Sequence, residues 1–126
     1  NYAVVNGTSV SSTGGATLAQ NLATLVPSAI DVTVVVNNGP TLTRASGTPT
    51  TSGTASNANV CYCPSLSGGA VSWGSSVTCG STCASGGGFA GKYVSVSGKQ
   101  MYTPLFGLFG ISRAGWITAS ALVQVQ

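Results

Sequence analysis

All four cysteines of the chain fall in one stretch, as Cys61-Tyr62-Cys63 and Cys79-Gly80-Ser81-Thr82-Cys83. No other feature restricts the fold as much, because covalent links there would fix how a Gly/Ser-rich segment returns on itself. Val60 to Cys63 is β-branched and aromatic and is stopped by Pro64, which predicts the end of a strand. Residues two apart on a strand point to one face, so Cys61 and Cys63 lie side by side and are poorly placed to bond each other. Each then needs a partner in the second pair. A chain folding back antiparallel would join Cys63 to Cys79 and Cys61 to Cys83, with the crossed pairing as the alternative. The outer link would close a loop for which chain entropy gives roughly 3 kcal/mol. A four-cysteine zinc site is the rival reading: the ligand set is adequate, but C-x-C with C-x3-C is not a typical zinc-ribbon spacing. Four free thiols would be unusual in so lysine-poor a chain, and disulfides are the expectation.

Charge bounds the rest. At 126 residues the chain is expected to form one domain, 1–126, with a modest core. Only 4% of its residues are charged, namely Asp31, Arg44, Lys92, Lys99 and Arg113, where about a quarter is usual. The net charge of +3 is scattered, so it makes no basic stripe for nucleic acid. A hydrophobic content of 43% argues against disorder, and no apolar run reaches the length of about 18 residues that a membrane span needs. What remains is a surface of hydroxyls and amides, or one covered by copies of itself. The expectation is an extracellular protein inside a larger assembly.

There is no histidine or glutamate, and Asp31 is the sole carboxylate. Paired-carboxylate hydrolysis, a Ser-His-Asp triad and zinc-histidine chemistry are excluded for the chain acting alone. A Ser-Lys dyad through Lys92 or Lys99 is formally open, but no motif supports it. No enzymatic activity and no cofactor are expected.

In chain order, Tyr2-Ala3-Val4-Val5 is a helical or extended stub ended by Asn6-Gly7, and Asn6-Gly7-Thr8 fits an N-glycosylation acceptor. The start, with neither methionine nor a signal-type segment, reads as a processed or trimmed terminus. Ala16, Leu18, Ala19, Leu22, Ala23, Leu25 and Val26 recur at helical spacing up to Pro27, predicting an amphipathic helix. Asp31 to Val36 reads as a strand and Asn37 to Pro40 as a turn. Residues 41–56 are Thr/Ser-rich: Thr41 to Thr43 starts a short strand, and the remainder reads as loop and a candidate for O-linked sugar. Tyr93 to Tyr102 and Ile117 to Gln126 alternate as strands, with Gly98 suggesting a bulge. Between them, Leu105, Phe106, Leu108 and Phe109 stand in a glycine-broken segment, either tucked onto the core or forming an apolar contact patch.

In this order the pieces resemble the extracytoplasmic domain of TadE-like proteins, minor pilins or pseudopilins of tight-adherence pili. The opening Tyr2 to Gly7 is similar to the end of that family's N-terminal helix, and Cys61-x-Cys63 with cysteines downstream is similar to its cysteine segment. Tyr93-Val94-Ser95-Val96, Tyr102-Thr103-Pro104-Leu105-Phe106 and the closing Ala119 to Gln126 resemble its later strands. The family's anchoring hydrophobic helix has no counterpart here, and Leu122 and Gln124 stand where an arginine is often found. The resemblance implies no catalytic residues.

The fold expected is α+β: one amphipathic helix on an antiparallel sheet of about four strands, pilin-like, with a disulfide-stapled loop at 61–83. The function expected is a subunit or accessory component of an extracellular or periplasmic pilus-like filament. Its contacts, with itself or with other pilus subunits, would use Leu105, Phe106, Leu108, Phe109, Tyr2, Val4 and Val5, with the stub and the closing strand as edges for pairing. No nucleic acid is expected, and membrane contact only through a helix this chain lacks. The alternative is a secreted adhesin or sugar-binding module using Trp73, Tyr62 and Phe89.

Overall fold

The computed structural model describes residues 1–84, 88–103 and 115–126. Over the described residues the chain is α+β, with one main helix packed on a five-stranded antiparallel sheet. A short helix α1 (Tyr2–Val5) and a 3-10 turn lead into α2 (Gly15–Thr24). The sheet contains β1 (Asp31–Val36), β2 (Thr41–Ala45) and β3 (Thr48–Ser52), and two long strands, β6 (Tyr93–Tyr102) and β7 (Gly115–Gln124). Its order is β3-β2-β1-β6-β7. Between β3 and β6 the chain forms a separate lobe with a two-stranded hairpin, β4 (Ser65–Ser67) and β5 (Ala70–Ser72).

Alternation dictates how the layers meet. Val32, Val34 and Val36 of β1 are buried on one face, while Asp31, Thr33 and Val35 turn to the other. Residues opposite each other in the sheet share a face, and Val34 lies opposite both Leu42 and Val96, Val36 opposite Val94. Helix α2 covers this surface with a stripe of Leu18, Ala19, Leu22 and Ala23, leaving Thr17, Gln20, Asn21 and Thr24 exposed. Val10 completes the core without exposing any of its surface. The helix stops at Thr24, earlier than predicted, so Leu25 lies outside the stripe and is exposed.

Arg44 explains how that helix end is held. Its side chain points from β2 to the α2 C-terminus and donates to the carbonyls of Ala23 (2.9 Å), Val26 (2.8 Å), Pro27 (2.8 Å) and Ile30 (3.3 Å). A cation at a helix C-terminus satisfies orphan carbonyls and opposes the helix dipole. Lys92 serves the N-terminal segment in the same way, its Nζ donating to the Val10 carbonyl at 2.9 Å.

Four expectations are corrected. Residues 41–56 are not mostly loop: they carry β2 and β3, joined by Ser46 and Gly47, both at positive φ, in a tight turn suited to a hairpin. Among the described residues the sheet therefore has five strands. No bulge occurs at Gly98, which keeps register with Val32 and Ala119; its missing side chain instead lets Ile30 approach, since an added Cβ would lie 3.3 Å from the Ile30 methyl. Val60 to Cys63 is not a strand but makes isolated bridges, Cys61 to Val77 and Tyr62 to Gly91. Finally, the stub at Tyr2 to Val5 is helical, so it offers no extended edge for pairing.

Candidate assembly surface

The cysteine lobe sits on the sheet face opposite α2. Its hairpin tip, Gly68-Gly69, reaches β7, where the Ser120 hydroxyl donates to the Gly69 carbonyl at 2.8 Å. Both tip glycines have positive φ, as a two-residue hairpin turn requires. The lobe is anchored by Asn37, which is fully buried. Its side-chain amide donates to the carbonyls of Asn57 (3.1 Å) and Val60 (2.6 Å), and its Oδ1 accepts from the Tyr93 N–H at 3.1 Å. One side chain thus joins the β1 end, the β6 start and the strand of backbone entering Cys61.

The disulfides are Cys61–Cys79 and Cys63–Cys83, with Cα separations of 5.1 and 5.6 Å. This is the crossed pairing, not the nested one that a simple antiparallel return would give. The chain does pair Cys61 with Val77, but it turns at Thr78 to Ser81, where the Ser81 N–H donates to the Thr78 carbonyl. It then bonds to 88–90 instead of continuing along 61–63. Cys79 therefore stays beside Cys61, and Cys83 arrives beside Cys63. All four sulfurs are spent in disulfides, which removes the thiolates that a zinc site would need.

The lobe packs two of its aromatics against each other. Tyr62 is buried and meets Trp73 edge-on with ring centroids 5.9 Å apart. Phe89 is 61% exposed, whereas Tyr62 is buried. Under the hairpin tip runs a cleft of about 360 Å³ lined by Asp31, Thr33, Thr43, Ser97, Lys99 and Thr118. Asp31 is engaged there, its Oδ1 accepting from the Ser46 N–H at 2.8 Å.

On the helix face the covering is incomplete. α2 lies over β1 and β2, so the β7 side chains that share this face, Ile117, Ala119, Ala121 and Val123, are left exposed, Ile117 by 61%. With Val26, Ile30 and Val96 three of them line an apolar groove of about 370 Å³. β7 is also a sheet edge: β6 pairs along its whole length, and among the described residues no strand lies on its other side. On its opposite face Trp116 is 54% exposed, with Lys99 Nζ 4.9 Å from its ring centroid.

Of the contact residues expected from sequence, Tyr2, Val4 and Val5 are exposed on α1 while Ala3 is buried beneath them. Asn6 is half-exposed, and its amide donates to the Tyr2 carbonyl at 2.9 Å. Leu105, Phe106, Leu108 and Phe109 lie outside the described residues. The roles of Arg44, Lys92, Asn37 and Trp116 were not foreseen. A polar residue ending a valine run was the one available signal, and it marks Asn37 but not its partners. Compared with protein families, curated proteins and solved structures, the chain matches none.

Proposed function

We propose that the chain is a structural subunit or accessory component of an extracellular pilus-like filament that associates with its own copies. The observation that carries this reading is β7. It is a ten-residue edge strand without a charge or a proline, beside an apolar face that α2 leaves open. Long neutral edges are normally blunted in proteins that remain alone, by lysines, prolines, bulges or a covering element. The exposed apolar side chains of α1 add a second contact surface. Two disulfides suit an oxidising compartment, which supports an extracellular or periplasmic place.

Electron microscopy of the purified native protein tests the proposal. Ordered polymers with a regular repeat are expected, and a dispersed monomer under all conditions that favour assembly would refute it. Glycan-array binding by such a monomer would favour the adhesin reading instead.

A further inference from the structure

We infer that two copies pair through β7, antiparallel across a two-fold axis perpendicular to the sheet at Ser120, extending each sheet into the other. The inference rests on the self-association reading and specifies its partner, edge and register.

The two sheet edges are unequal. β3 has five residues, all exposed, and carries Pro49, which cannot donate to a further strand. β7 has twice the length and no such block. An edge strand pairs with a copy of itself only if the two-fold brings like faces together, which restricts the sum of paired residue numbers to even values. Centring on Ser120 sets Ile117 opposite Val123 and Ala119 opposite Ala121 on the helix side. Trp116 then faces Gln124, and Thr118 faces Leu122, on the other side.

Every helix-side pair is apolar, and the β-branched Ile117–Val123 pairs are of the kind that stabilise sheets. Moving the axis to Ala119 would lose them, setting Ile117 against Ala121. Near the axis the side chains are small: Ala119, Ser120 and Ala121. The hairpin tips that approach the same place on the other face are glycines, and a Cβ at Gly68 would find nothing within 4 Å. Charge agrees. A chain of net +3 repels its copies, yet β7 carries no ionised group, and the nearest described cation on its own sheet, Lys99, lies over Trp116. Joining the edges also brings together the two grooves lined by Ile117, Ala119 and Ala121, so apolar surface exposed in each copy is covered by the other.

The test is sedimentation velocity over a concentration series for the intact chain and three variants. The unmodified chain is expected to form dimers. Ala119→Lys places a charge in the pairing edge and should raise the dimer dissociation constant by about tenfold or more. Adding Ala121→Glu to Ala119→Lys should restore dimerisation, because in this register each lysine faces the partner's glutamate. Thr50→Lys on β3 should change nothing. Rescue failing while Ala119→Lys dissociates the dimer would overturn the register. A dimer indifferent to Ala119→Lys, or dissociated by Thr50→Lys, would overturn the edge assignment, as would an unmodified chain that never dimerises. Micrographs of the same samples separate this from the filament reading: dimers with these responses but no polymers retain the pairing and remove the filament, and polymers indifferent to Ala119→Lys do the reverse.

Discussion

Asn37, fully buried, ties the cysteine lobe to the sheet together with the Ser120–Gly69 and Asn57–Asn38 hydrogen bonds. It is buried at the end of a valine run, in a left-handed conformation (φ 52°) that asparagine tolerates better than most residues. Replacing it with alanine would leave the Val60 carbonyl and the Tyr93 N–H without their partner and the Asn57 carbonyl with the Val60 N–H alone, and would put a residue with no local side-chain hydrogen bond at positive φ. Each unsatisfied buried group costs about 1–3 kcal/mol. With some water entry, Asn37→Ala should destabilise the domain by about 3–4 kcal/mol, read from the midpoint of urea unfolding at unchanged slope. Asn37→Asp should do no better, since a carboxylate would face the two carbonyls that the amide now serves. A loss below about 1 kcal/mol for either variant would show that the lobe is held by other contacts. Arg44 and Lys92 follow the same logic. Two of the chain's five ionised residues are used to satisfy backbone carbonyls from within.

At the scale of elements, the disulfide lobe and the sheet differ in what holds them. The main core lies between α2 and the sheet and contains no cysteine. The lobe buries Ala58, Cys61, Tyr62 and Ala90 but leaves Val60, Leu66, Val77 and Phe89 exposed, so its own core is small. Its loops span 18 and 20 residues of separation, each link worth roughly 3 kcal/mol in the chain-entropy model. The loops overlap, so the links do not add fully. Reduction should therefore lower the melting midpoint by on the order of 10–15 °C, with loss of the near-ultraviolet signal of the Tyr62–Trp73 pair. Calorimetry with and without a reductant would measure it, and a shift within about two degrees would mean the lobe is held without its staples.

The same contrast explains what could be read from sequence. β1, β6, β7 and α2 are long enough for their periods to show, and Val32, Val34 and Val36 alone specify which face is buried. β3 and the β4–β5 hairpin are short and rich in Ser and Thr, with Leu66 and Val71 as their only large apolar residues, so only their turns, Ser46-Gly47 and Gly68-Gly69, carried a signal. The crossed cysteine pairing depended on the turn at Thr78 to Ser81 and on bonds to residues 88–90, which no local pattern encodes. Of the candidate surface, Tyr2, Val4 and Val5 were legible as apolar residues at a terminus. That β7 is an edge follows from strand order, which is a property of the whole sheet.

For the whole molecule, scarcity of charge has a measurable consequence in how copies meet. If association used ion pairs, added salt would weaken it, because exposed charges are screened beyond about 10 Å at 0.1 M. Here the proposed contact is neutral backbone and apolar side chains, while the net charge of +3 on each copy opposes approach at any orientation. Salt should therefore act in the other direction. Raising sodium chloride from about 0.05 to about 0.5 M removes the long-range repulsion and leaves the contact unchanged. The dimer dissociation constant should fall slightly, by about threefold or less, as read by sedimentation at each salt concentration. A rise of tenfold would place charged residues in the contact and exclude β7 as its centre. The sign of the response alone separates a neutral strand edge from a contact built on the few ionised residues this chain contains.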